Sequence, residues 1–139
     1  MENGEDDCLA REKWVRVMCD YGAEGVWDKD GVSREPEELA ISRELMDRIY
    51  KWQEWHDRIV DRYYDEELSD DDESLIRDYI ANSAEGYDIA LAVKSALPDW
   101  TVVYFDEAKS RDKTSRRLTS ARSYFEYELH LDQEDRPEA

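Results

Sequence analysis

Glycine, proline and cysteine are scarce in this chain of 139 residues, at five, three and two respectively. So few breakers leave room for long helices, and so few cysteines exclude a disulfide-built scaffold. Cys8 and Cys19 lie eleven residues apart with no CxxC pair and no neighbouring histidine pair, which argues against a zinc or redox motif and predicts two free thiols. No apolar run approaches the roughly 20 residues of a membrane span. The segment Met1 to Asp7 is acidic rather than basic and then apolar, so it reads as neither a signal nor a transit peptide, and the chain is expected to be cytoplasmic. Basic residues are also in short supply, 19 Lys and Arg against 37 Asp and Glu, for a net charge of −18. That charge repels nucleic acid and anionic membranes, excludes direct binding to either, and steers basic proteins toward the surface.

Aromatic residues are plentiful, with five Trp and nine Tyr, and 40% of the chain is hydrophobic, enough for one folded core at this length. The expected organisation is a disordered acidic leader over 1–12, a single domain over 13–131 and a disordered tail over 132–139. Lys13–Tyr21 alternates Val15, Val17, Cys19 and Tyr21 with Trp14, Arg16, Met18 and Asp20, the pattern of an interior strand. A Gly-containing connection follows, in which Val26-Trp27 reads as a short extended piece. Ser42 caps a helix to about Tyr64, with Leu45, Ile49, Trp52, Ile59 and Tyr63 on one stripe. A second helix, capped at Ser69 or Asp70, buries Leu75, Ile76, Tyr79, Ile80, Tyr87, Ala90 and Leu91 until Leu97-Pro98 stops it, with a kink expected near Asn82-Ser83 on account of Gly86. Trp100–Phe105 and Ser123–Leu131 read as strands. Between them, 107–122 reads as a loop of net charge +4. The fold class is α+β, in the order β-α-α-β-β, a small sheet with two helices packed on one face.

Chemistry-bearing patterns are sparse. The run Asp70-Asp71-Asp72-Glu73 lacks the alternating spacing, Gly and distal Glu of a calcium loop, and suits a helix N-terminus instead. His56 and His130 stand far apart without a Ser or Cys partner in sequence, and no Gly-rich phosphate loop follows a strand. No catalytic residue, metal or cofactor is therefore assigned. Cys19-Asp-Tyr-Gly22, Val26-Trp-Asp28, Asp30-Gly31, Glu38-Leu-Ala-Ile-Ser42, Trp52 and Asp57 together resemble a family of small, mostly uncharacterised bacterial proteins over the first 60 residues, with Val102–Phe105 a further echo. The resemblance implies bacterial origin and carries over no activity.

Size, charge and missing chemistry favour a non-enzymatic protein-binding module, most concretely an acidic immunity or antitoxin-like inhibitor of a basic partner such as a toxin nuclease. Its expected contact residues are Asp65, Glu66, Glu67, Asp70, Asp71 and Asp72, with Trp27 and Trp55 as anchors. Two alternatives stay open: a DNA mimic that occupies a nucleic-acid-binding protein, and a small enzyme or ligand-binding domain built on the Asp20–Asp30 loop, whose other reading is a structural bracket onto the first helix.

Overall fold

Alternating valines make the sheet one-sided. In β1 (Trp14–Val17), Val15 and Val17 are fully buried while Trp14 and Arg16 are half-buried, and in β4 (Thr101–Phe105) Val102 and Tyr104 repeat the pattern. The computed structural model describes residues 8–113 and 121–131, and pairs these two strands in parallel with Val15 opposite Val102 and Val17 opposite Tyr104. That register puts all four side chains on one face. Antiparallel strands flank them: β2 (Val26–Trp27) and β3 (Ser33–Arg34) on one side, β5 (Glu126–Glu128) on the other, for a sheet order β3-β2-β1-β4-β5. A parallel neighbour needs a crossover, and α2 (Arg43–Asp65) and α3 (Glu73–Ala96) supply it.

The expected fold class holds, α+β with both long helices over the buried sheet face. Ser42 caps α2 as its sequence position predicts, accepting from the Leu45 amide at 3.1 Å. The order is richer than β-α-α-β-β, because β3 and the short helices α1 (Cys8–Glu12) and α4 (Glu107–Arg111) were not expected. Residues 8–12 are thus no frayed leader: Leu9 is 1% exposed and joins the core. Residues 1–7 and 132–139, the rest of the expected leader and the tail, lie outside the described residues, as does 114–120 of the basic segment. The first strand stops at Val17 and the last covers only 126–128, preceded by a 3-10 turn over Arg122–Tyr124. The basic segment opens as helix rather than loop because Asp106 caps it, accepting from the Lys109 amide at 3.0 Å.

The largest correction concerns α3, which is continuous through Gly86 and turned relative to the expected face. Its buried residues are Leu75, Tyr79, Asn82, Ser83, Gly86, Ile89, Ala90, Val93 and Lys94, which together form one helical face. Ile76 and Ile80 are left 43% and 56% exposed. Polar Asn82 and Ser83 go inside because each is satisfied there. The Trp52 indole N–H donates to the Asn82 carbonyl at 2.8 Å, Asn82 Nδ2 donates back to the Trp52 carbonyl at 3.3 Å, and Tyr104 donates its hydroxyl to the Ser83 carbonyl at 2.6 Å. Gly86 is inside because the indole lies on it: a Cβ there would sit 2.5 Å from Trp52 Cζ2. At the end of α3, buried Lys94 donates to the carbonyls of Pro98 and Trp100 at 3.1 and 2.6 Å, tying the helix C-terminus to the start of β4.

Alanine at position 86 gains about 1 kcal/mol of helix propensity. The collision with Trp52 outweighs it, so Gly86→Ala should lose about 1–3 kcal/mol overall. Urea unfolding checks this, and a variant as stable as the parent would show that the helices separate freely at this point.

Candidate functional site

The six acids singled out in the sequence share one corner of the molecule, the turn from α2 into α3. Helix α2 ends with the Glu67 amide donating to the Tyr64 carbonyl and the Leu68 amide to the Tyr63 carbonyl, the paired bonds of a Schellman cap. Glu67 occupies the left-handed position of that cap at φ 52°, where glycine is the unstrained choice. Leu68 is thereby turned inward onto the small second core of Ile59, Leu75 and Tyr79.

The acids divide by what holds them. Asp72 caps α3, accepting from the Leu75 amide at 3.0 Å, which corrects the expectation of a cap at Ser69 or Asp70. The Ser74 hydroxyl and then that amide hold the Asp72 carboxyl below its ordinary value. Asp70 accepts from the Tyr63 hydroxyl at 2.7 Å, which depresses its pKa likewise, and lies 3.7 Å from Lys113. Glu66 lies 3.7 Å from Arg62. Asp65, Glu67 and Asp71 are exposed and form no ion pair among the described residues. Beside them, exposed Ile76 and Ile80 line a groove between α3 and α4.

The two tryptophans are not both at this corner. Trp55 packs against the second core directly behind it. Trp27 belongs to the sheet, in β2, and donates its indole N–H to the Met18 carbonyl at 2.8 Å. It forms part of the Asp20–Asp30 loop, whose polar groups are largely spent inside the protein. Asp28, 3% exposed, accepts from the amides of Asp30 and Val32 and from Arg34. Burial raises its pKa, but these bonds outweigh burial and hold the carboxyl below its usual value. Gln53 of α2 donates to the Asp20 carbonyl at 2.7 Å, the Gly22 amide donates to Asp57, and Gly25 at φ 93° presses against Ile49. This is the geometry of a bracket onto α2.

Behind the corner lies an ionic relay, buried at His56 and open to solvent at Arg111, that no sequence pattern announces. His56, 2% exposed, meets Glu107 at 2.6 Å from Nε2, and Arg111 donates from Nε to the other Glu107 oxygen at 2.8 Å. The Arg111 guanidinium then stacks over Tyr79 at 4.2 Å. His56 and Glu107 are 51 residues apart, so only the fold unites them. The other histidine, His130, is exposed but lies two residues beyond the last strand rather than on its charged face, 3.8 Å from Glu128. Cys19 is buried, and burial followed by nearby Glu107, Asp57 and Asp20 pushes its thiol pKa well up, leaving it protonated and unreactive. Among the described residues no group of three His, Cys, Asp or Glu could hold a metal ion, and no helix is long and apolar enough to cross a membrane.

Burial works against the Glu107 charge, but the His56 hydrogen bond and Arg111 outweigh it and hold the carboxyl below its ordinary 4.5. A depressed folded pKa stabilises the protein above the unfolded value and ceases to do so as pH falls through the folded one. Glu107→Gln should therefore cost about 2 kcal/mol at neutral pH. The difference from the parent should shrink below 4.5. Urea unfolding across the acid range checks the sign, and a gap that stays constant with pH would count against the relay.

No curated protein matches the chain. A family model described as Serratia CdiI immunity protein-like matches residues 13–107, from the residue before β1 to the first residue of α4. The match takes in the sheet crossover, the acidic corner and Glu107 of the relay, and the chain belongs to the Serratia CdiI immunity protein-like family.

Proposed function

We propose that this chain is a non-enzymatic immunity protein that neutralises a basic toxin, a nuclease being the fitting target class, by docking its α2–α3 corner on the toxin's cationic surface. The observation that carries the reading is the state of the corner. Asp65, Glu67 and Asp71 are exposed without an internal ion pair among the described residues, and Ile76 and Ile80 lie exposed beside them. An apolar patch rimmed by charge has the composition of a protein interface. A net charge of −18 supplies the long-range field that speeds capture of a positive partner. Family membership supports the same reading, since it makes a toxin the natural partner class. The internal bonding of Asp28 and Gly22 favours the bracket over an active site on the Asp20–Asp30 loop.

The test is association with a purified toxin encoded beside this protein, measured at low and at high salt. Replacing Asp65, Glu66, Glu67 and Asp71 together by Asn or Gln should slow association about tenfold or more at low salt and change dissociation little. Equal association rates for parent and variant would remove the corner from the interface. Glu67→Gly should separate the two roles of that residue. Relief of the left-handed strain should raise stability by about 1 kcal/mol while association slows. A destabilised glycine variant would contradict the strain argument.

A further inference from the structure

One turn of α2 before the corner, a cleft of about 450 Å³ opens between the Asp20–Tyr21 segment, α2 and α4. Its size falls toward the lower end of ligand pockets, ~300–1,000 Å³, and suits a single long side chain. Asp20, Asp61 and Glu107 bring three carboxylates to it, against one guanidinium, that of Arg111, already bonded to Glu107. Tyr21 and Tyr64 stand at it with 57% and 70% of their surface exposed, large aromatics that the core does not claim.

The hydrogen bonds show which chemistry the cleft has to offer. The Tyr21 hydroxyl proton is spent on Asp61 at 2.7 Å, and the Tyr21 amide on Asp20 at 2.9 Å. His56 lines the cleft with its side chain 3% exposed, and its Nε2–H is spent on Glu107. Its Nδ1 is buried, has no hydrogen-bond partner among the described residues and lies 3.9 Å from Asp57, the carboxylate that holds the Gly22 amide, so it is not among the groups the cleft offers. Asp20 and Asp61 each retain a second carboxylate oxygen without a bond among the described residues, so the cleft offers a set of acceptors beside two exposed aromatic faces. A group that answers both features carries several N–H donors, positive charge and a flat surface, which describes a guanidinium. The protein already packs one this way, with Arg111 over Tyr79.

We infer that this cleft receives an arginine side chain presented by the partner, its guanidinium held by Asp20 and Asp61 and covered by Tyr21 and Tyr64. The inference rests on the toxin-binding reading and adds to it a defined socket, continuous along α2 with the Asp65 corner. Arginine supplies the single desolvated anchor that an electrostatically steered interface needs in order to stay bound after encounter.

The experiment is a backbone-amide NMR titration of the full chain with Nα-acetylarginine amide, with the neutral, near-isosteric citrulline amide in parallel. Saturable shifts concentrated at Asp20, Tyr21, Asp61 and Tyr64 are expected, with the citrulline compound binding at least about tenfold more weakly. Asp61→Asn should weaken arginine binding about tenfold. Because Asp61→Asn also alters the Tyr21 bond, Tyr64→Ala, at a side chain outside the core, provides the second variant and should weaken binding severalfold. Equal binding of both amides, shifts that do not saturate, or shifts centred elsewhere overturn the inference. Toxin association, measured separately on the parent, distinguishes the two claims. A toxin captured by a protein that ignores arginine amide leaves the corner standing and removes the socket, whereas arginine amide bound at the cleft with no toxin captured removes the toxin-binding reading alone.

Discussion

The contact of Trp52 with α3 is the constraint on which the remaining geometry hangs. An indole ring lies directly on Gly86, so the two long helices approach more closely there than any side chain at position 86 would allow. The reciprocal hydrogen bonds between Trp52 and Asn82 then fix how far one helix can slide along the other. Once that crossing is set, the phase of α3 is set too. Ile89, Ala90 and Val93 meet the valines of β1 and β4, Tyr104 reaches the Ser83 carbonyl, and Ser83 Oγ accepts from the Ala108 amide of α4 at 3.0 Å. The position of α4 in turn places Glu107 against His56. A chain of contacts thus runs from one glycine to the relay behind the acidic corner.

Much of this was legible wherever burial follows hydrophobicity. The alternation of Val15 and Val17, the stripe from Ile49 to Ile59 and the cap at Ser42 all identify their elements correctly, although Gln53 and His56 are buried beside that stripe against the simple rule. The reading failed in α3, where Asn82, Ser83 and Gly86 take inside places through hydrogen bonds and close approach, leaving Ile76 and Ile80 outside. Hydrophobicity cannot report a buried polar group whose partner lies 30 residues away, as Trp52 does from Asn82. The same limit hid the relay, since His56 and Glu107 are joined only by the fold, and α4 lies in a stretch whose positive charge resembles a loop. The acids of the corner were readable as a group, but the division between capping Asp72, tethered Asp70 and exposed Asp65, Glu67 and Asp71 depends on individual bonds.

The way those acids are divided bears on why so much negative charge is kept. Asp28, Asp72 and Glu107 are held ionised below their ordinary values by amides, a hydroxyl, arginines and a histidine, so their charge is part of the folding free energy. Asp65, Glu67 and Asp71 at the corner are exposed and form no ion pair among the described residues. Asp65, Glu66 and Glu67, crowded at the end of α2 close to the negative end of its dipole, repel one another and the helix terminus, and Glu67 adds backbone strain. The electrostatic terms destabilise the free protein and would be relieved by a cation brought from outside, whereas the backbone strain would remain. A surface whose unfavourable electrostatic terms share one remedy differs from one that is merely soluble, for which scattered charges of both signs would serve at lower cost. Neighbouring Ile76 and Ile80 add apolar area that water also disfavours, so electrostatic and hydrophobic terms point to the same face, and a positively charged protein partner is the chemistry that satisfies both.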